Sequence, residues 1–442
     1  MNRIELAQSS AALQTLYQRG RNVLPGGVCS STRFNKAWDE PVYASRAQGA
    51  RFWDIQGREL LDMSMSHGAT LLGHGHESLR KVFDDVWELG GLCSFDTPLH
   101  IELAEQLCEL VPCGQRVRFT SSGSEATLHA LRLCRAVSGR DKIIRFFGHF
   151  HGYHELTFIG GHPPVDQLDA SPPYRESAGI PLALAELIIP LEYNDPEGLE
   201  AAVKKHGDEV GTILIEPVDY NCGCILPEPG FLELARRLAT EHGMILFFDE
   251  IQSFAKKSPG GAQQEFGVTP DVCTIGKSLG GGLPLSAILG QAEIMDRYQP
   301  VGDVAHSGTF NGPLASILGG LAFVDEIRRP RFWQKIDSLA EQLYAGLADI
   351  AERSPVPVRF QHHGSRFGIL FGTREPVNNY RQSLCHRPET MLQFCRGTTQ
   401  RGVYFHDYGG AACHHGYSLA HEPQDITHVL NVVDDTLQEM RP

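Results

Sequence analysis

The residues best placed to do chemistry in this chain sit just past short apolar runs. Lys277 follows Val272–Gly276 in DVCTIGKSLGGGLP, Asp249 closes MILFFD, and Glu216 closes TILIE. An ionised carboxylate behind five apolar residues is costly unless a cation or several donors meet it. A protonated ring nitrogen is a suitable partner for Asp249. A lysine desolvated beside cationic or electron-poor groups acquires a lowered pKa and becomes a competent Schiff-base amine. Taken alone, a lysine is more often a solvated surface group.

Ser121–Thr127, SSGSEAT, follows the strand-like VRFT and opens a helical pattern. Such a junction leaves free backbone N–H groups and a helix dipole facing any phosphate, so Ser122, Gly123 and Ser124 could cup one. Ordinary capping by Ser122 or Ser124 explains the same letters.

Other motif readings fail on spacing. The triplet GKS at 276–278 suggests a phosphate loop, but that pattern needs glycine at position 271, which is Asp271. Gly280–Gly282 fits no dinucleotide-binding register and is soon followed by Pro284. HFHGYHE (149–155) and CHHG (413–416) match no strong zinc spacing, so no metal is expected and an aromatic-rich ligand wall is expected instead.

These residues need elements to position them. Strands are expected at Val117–Thr120, Lys142–Phe146, Thr212–Glu216, Met244–Asp249 and Val272–Gly276. Between them, Phe231, Leu234, Ala235 and Leu238 keep helical spacing, with Pro229 ahead and Gly243 behind; a second helix is expected over 124–137. Alternation of buried strands and helices predicts an α/β architecture with a mainly parallel sheet, whose ligands sit beyond the carboxyl ends of the strands. The expected division is an N-terminal segment, 1–60, packing with a smaller domain or a neighbouring subunit; a large domain, 61–317; and a C-terminal small domain, 318–442.

Composition narrows the partners. The chain has 442 residues, 39 Lys+Arg against 53 Asp+Glu, and a formal charge of -14. That balance disfavours nucleic acid and anionic membranes. The N-terminus has no apolar signal core, and no run is long enough to span a membrane. Eleven scattered cysteines without a regular framework point to reduced thiols and a cytoplasmic enzyme or binding protein.

Taken together, SSGSEA, FHG, EP, DE and GK with GGG resemble the class III pyridoxal-phosphate aminotransferases, and within them the glutamate-1-semialdehyde aminomutase branch. The resemblance runs in order from PGGV (25–28) through WDIQGRELLD, LLGHGH and PEPGFL to HSGTF (306–310). It implies a fold-type I transferase and pyridoxal 5'-phosphate as cofactor. By position it implies Lys277 as the lysine of the internal aldimine and Asp249 as partner of the pyridine nitrogen. Ser122, Gly123 and Ser124 would hold the phosphate. Phe150 and Ile251 would flank the ring, with His151, Glu216 and Gln252 also at the cofactor. Thr309 would reach the phosphate of a neighbouring subunit, implying a homodimer with shared sites. Arg33 would bind a substrate carboxylate, a role that suits a bidentate guanidinium.

The chain also departs from that pattern. SFAKK (253–257) stands where the family's stretch after DE usually reads with a Gly-Phe-Arg, and NGPL shortens the turn after GTF. His67 replaces a tryptophan at the substrate side. The stretch from Tyr404 to His421 holds no glutamate, which argues against intramolecular amino exchange. The expected activity is transamination of a carboxylate-bearing, aromatic or bulky amino compound. An aminomutase is the nearest alternative, with a racemase or decarboxylase further off. A nucleotide-binding oxidoreductase or a non-catalytic relative are rivals from other classes, the latter disfavoured by the cost of burying Lys277 and Asp249 without a ligand.

Overall fold

Apolar runs of four to six residues bounded by glycine and polar turns form strands when both their faces can be covered. In the computed structural model, which describes residues 13–441, seven such runs make one sheet. They are β1 (Arg116–Thr120), β2 (Lys142–Phe146), β3 (Ile188–Leu191), β4 (Val210–Ile215), β5 (Ile245–Glu250), β6 (Val272–Ile275) and β7 (Ser286–Gly290). Their spatial order is β1-β7-β6-β5-β4-β2-β3. The pairs β6–β5, β5–β4, β4–β2 and β2–β3 are parallel, whereas β7 runs antiparallel to both of its neighbours.

The five expected strands form within one or two residues of their expected limits, and two more complete the sheet. β3 contains Pro190, which lacks an N–H and breaks a strand pattern; accordingly it lies at the sheet edge, where the missing donor is tolerated. β7 is a five-residue run directly after the glycine-rich turn.

Helix α1 (Gly123–Ser138) buries Ala126, Ala130 and Leu133 and stops at Gly139 in the left-handed conformation. Helix α2 (Phe231–His242) buries Phe231, Ala235 and Leu238 and ends the same way at Gly243. The alternating side chains of β5 show how the layers close. Leu246 and Phe248 enter one buried cluster, and Ile245 and Phe247 enter a second cluster with Ala126 and Ile143.

Two helices, Leu314–Ile327 and Pro330–Arg353, lead from this sheet to the C-terminal elements. Residue 318 lies inside the first of them. Beyond, Val358–His363, Arg366–Phe371 and His414–Gly416 form an antiparallel sheet. Near the other chain end, Ala44–Gln48, Arg51–Asp54 and Glu59–Asp62 join Val403–Tyr404 in one sheet, with Val403 opposite Leu61. The N- and C-terminal parts of the chain thus share a sheet. The first twelve residues of the expected N-terminal segment lie outside the described residues. Among the described residues no helix is long and apolar enough to cross a membrane.

Phe248 is fully buried at the centre of the sheet. Phe248→Ala should therefore lower the unfolding free energy by about 3–5 kcal/mol in denaturant titration; a loss under about 1 kcal/mol would show that the β5 layer is not the packed core.

Candidate active site

Parallel strands β4, β5 and β6 all point their carboxyl ends the same way, so Glu216, Asp249 and Lys277 arrive at one edge of the sheet. A cavity of about 360 Å³ opens there, lined by these three residues, by Ser122–Ser124 and by Phe150. Ile251, Gln252 and His151 complete that wall.

Asp249 is buried, and each of its oxygens has a partner. Its Oδ1 accepts hydrogen bonds from the Ile251 N–H (3.1 Å) and the Thr274 hydroxyl (3.1 Å), and its Oδ2 meets His151 Nδ1 at 2.8 Å. Thr274 stands directly opposite Asp249 in the β5–β6 register. Burial pushes the Asp249 carboxyl up to about 6, against the opposing pull of these donors and Lys277. Burial holds His151 well below the ordinary imidazole range, so its ring is neutral and Nδ1–H donates to the carboxylate.

Glu216 accepts from the Phe150 N–H at 2.5 Å and from Asn221 Nδ2 at 3.1 and 3.3 Å. Burial, followed by the charges of Asp219 and Asp249, raises its pKa well above the usual carboxylate value. Lys277 moves the other way: burial lowers it, while Glu216 and Asp249 resist. Each group disfavours its own charge in isolation and favours that of its opposite, a pattern concentrated at functional sites.

Backbone geometry marks the same place. Lys277 has φ 45°, and Gly276 before it is packed so closely that a Cβ would fall 2.5 Å from Ser286 Oγ. Gly152 has φ +101°, and a Cβ there would lie 2.7 Å from Ser124. The FHG segment can therefore lie against the start of α1 only with glycine at this position. Ser122 does cap α1, accepting from the Glu125 N–H at 3.3 Å, while Ser124 Oγ accepts from the Tyr153 N–H at 3.1 Å.

An outer cavity of about 610 Å³ shares Phe150, Asn221 and Lys277 with the first. His67, Tyr408 and His414 form part of its wall. His67 Nδ1 lies 2.7 Å from the Tyr408 hydroxyl, and burial brings His67 down to about 3. His67 and Tyr408, like Lys277, have positive φ, and Met65 and Ser66 do as well. Non-glycine residues held there cost about 1–3 kcal/mol each and collect at binding sites.

Two expected site residues stand apart from both cavities. Arg33 is exposed at the end of a short turn, although its neighbours Thr32 and Phe34 line the outer cavity. Thr309 is also exposed; its loop is tied to the start of α1 by the Ser121 hydroxyl donating to the Phe310 carbonyl at 2.8 Å. The histidines of HFHGYHE serve separate partners: His149 Nδ1 accepts from the Glu216 N–H, His151 meets Asp249, and His154 approaches Thr127. Thr274, Asn221, Lys36, Tyr408 and His414 were not singled out from sequence as individual site residues. Thr274, a polar residue inside the apolar VCTIG run, and His414, within the CHHG stretch expected to form a ligand wall, carried local signals.

The raised Asp249 pKa has a consequence for the cofactor-free protein. Between about pH 4 and pH 6 the unfolded carboxyl loses its proton before the folded one, so stability falls as pH rises through that window and levels off above it. Asp249→Asn should flatten this part of the profile and melt higher than the parent at pH 8, with the gap closing below about pH 4. Thermal melts across pH test this, and an unchanged slope would refute it.

With this geometry in view, the comparisons with known proteins are specific. The family Aminotransferase class-III matches residues 34–437. A glutamate-1-semialdehyde 2,1-aminomutase of Sorangium cellulosum is 35% identical, over 98% of this chain and 97% of its own. The crystal structure of an omega-transaminase from Sphaerobacter thermophilus superposes with a TM-score of 0.89 at 30% identity, covering 99% of both chains. A beta-phenylalanine aminotransferase from Variovorax paradoxus gives 0.86 at 25% identity, covering 98% of this chain and 97% of its own. The fold is that of the pyridoxal-phosphate-dependent transferases, and the chain belongs to the class III aminotransferases, whose cofactor is pyridoxal 5'-phosphate.

Proposed function

We propose that this protein is an aminotransferase that moves the amino group of a carboxylate-bearing, aromatic or bulky amino compound to a carbonyl acceptor. The residues fit the family's cofactor. Asp249 is a buried carboxylate whose protein partners are all neutral or distant, so a ring N–H suits it. The N–H groups at the start of α1 face the same cavity as Lys277.

When bound, the cofactor supplies an electron-accepting ring and an aldehyde. Lys277 Nζ would hold it covalently and, as a free amine, would carry a proton from and to the substrate's amine-bearing carbon. Asp249, kept in place by Thr274 and His151, would hold a proton on the ring nitrogen. Ser122, Gly123 and Ser124 would bind the phosphate at the α1 N-terminus. Phe150 and Ile251 would confine the ring from its two faces; Glu216 fixes Phe150 through its backbone N–H, and Gln252 would approach the ring's polar edge. Arg33, exposed between the cavity-lining Thr32 and Phe34, and His67, in the wall of the outer cavity, are the substrate-side residues of this reading.

The observation that carries transamination over amino exchange is the outer wall beside Lys277. It is made by Tyr408, Cys413 and His414, from a stretch without glutamate. An aminomutase is the second reading, supported by the 35% identity to a curated aminomutase.

The active form in this reading is a homodimer. Trp87 is 87% exposed, and Phe95, Ile101 and Phe310 are also exposed; Phe95 and Ile101 share a surface hollow with Ser307 and Gly308 of the HSGTF loop. Apolar side chains at such density mark an interface, and Thr309 would then reach the partner's phosphate. The eleven cysteines are all free thiols, which supports a reducing, cytoplasmic location.

Mixing the pyridoxal form with α-, β- and ω-amino acids and following the cofactor absorbance should reveal donors that bleach it, with colour returning only when a keto-acid acceptor is added. Turnover of a single amino aldehyde without any acceptor would instead establish the aminomutase. Lys277→Ala should lose at least about 10³-fold in rate, a barrier increase of about 4 kcal/mol. Sedimentation should give twice the 48.8 kDa chain mass, and Ile101→Glu should shift it toward one chain mass with loss of activity.

A further inference from the structure

Two basic side chains are sealed behind the outer cavity without an acidic partner, and burial together with the Arg366 and Lys277 charges disfavours the charged form of Lys256. Arg366 and Lys256 have no exposed surface, and among the described residues no carboxylate pairs with either. Lys256 Nζ donates to Ser278 Oγ (2.8 Å) and to the Phe254 carbonyl (3.3 Å). Burying a charge this way costs several kcal/mol, so the bonds that Arg366 makes are informative.

Its Nη1 donates to the Ser64 carbonyl at 3.0 Å, at the start of the left-handed turn that presents His67. Its Nη2 donates to His414 Nδ1 at 2.6 Å and to the His414 carbonyl at 3.1 Å. Gln252 Nε2 approaches the same His414 Nδ1 at 3.1 Å. One guanidinium therefore pins two walls of the outer cavity.

A guanidinium has no lone pair to offer. His414 Nδ1 must be the acceptor, and the ring proton is on Nε2. Burial, then the Arg366 charge, holds this imidazole well below its ordinary range, so the tautomer is stable. Nε2 meets no described protein group, and the ring lines the outer cavity together with Lys277 and the aromatic faces of Phe34, Phe150, Tyr153 and Tyr408.

We propose that His414, held by Arg366 as an Nε2–H donor, receives the substrate's carboxylate in the outer cavity, and that the substrate is an aromatic amino acid. His414 is the substrate contact in this arrangement and Arg366 its positioning residue. The buried Arg366 guanidinium adds a positive field at this wall, and Lys36 adds a further cation to the cavity lining. The inference rests on the reading of the Lys277 cavity as the place of amino transfer.

The test is equilibrium titration of the pyridoxal-phosphate holoenzyme with 3-phenylpropanoate, an aromatic carboxylate without an amine. The parent should bind it, and His414→Leu and Arg366→Met should each weaken binding by about tenfold or more. His414→Gln, which restores a donor near Nε2, should return binding to within about threefold of the parent. Arg366→Lys should recover part of the loss. The neutral 3-phenylpropanamide should bind the parent more weakly and change by less than about threefold among the variants. Retained cofactor absorbance shows that a variant is folded and loaded; should Arg366→Met fail that check, the two His414 variants decide. No binding by the parent, or equal binding by His414→Leu, overturns the proposal. Binding of 3-phenylpropanoate needs no amino transfer, so failure of the aminotransferase reading would appear separately, as donors that never bleach the cofactor.

Discussion

A carboxylate in a dry interior must be met from every side, and Asp249 is the point where this protein meets that demand. Thr274, Ile251 and the neutral ring of His151 satisfy its oxygens, yet burial still leaves its charged form disfavoured. The remaining deficit is one that a cationic ring N–H can fill. The parallel register of β5 and β6 puts Thr274 beside it, and the fold of FHG against α1 brings His151 beneath it. The sheet, the close-packed Gly152 and the α1 N-terminus therefore all serve the environment of one side chain.

Strain and buried charge are distributed around the same space. Lys277, His67 and Tyr408 come from three distant parts of the chain, and each holds a left-handed backbone. Such conformations persist only when their surroundings over-determine them. Ser286 and Ile251 crowd Gly276 ahead of Lys277. For His67, the turn is held from outside by Asp62, which accepts from the Ser64 and Met65 N–H groups, and from below by Arg366.

Three of the stretches that depart from the resembled pattern, SFAKK, His67 and the segment from Tyr404, adjoin this space, whereas NGPL lies in a separate hollow. Lys256, within SFAKK, points into the interior onto Ser278, immediately after Lys277 in the chain. His67 lines the outer cavity and bonds to Tyr408, and Tyr408 belongs to the stretch without glutamate.

Much of this was legible in the linear chain. Local patterns with a short physical range determined five of the seven sheet strands, helices α1 and α2 and their glycine caps, because periodicity and capping depend on neighbours a few residues away. The order of SSGSEAT, FHG, DE and GK was enough to indicate the family. The edge strand β3 and the antiparallel β7 were missed, since a proline and a bordering glycine run mask their patterns. Only the tertiary structure decided that Asn221 would hold Glu216, that Arg366 would stand behind His414, and that Arg33 would be exposed while Thr32 and Phe34 line the cavity. These are contacts between residues up to several hundred positions apart, or orientations set by packing around a turn, and no local sequence pattern encodes either. The chain alone therefore determined which chemistry could be carried out, and the packing of its two ends against the sheet decided the shape and charge of the space in which a substrate must fit.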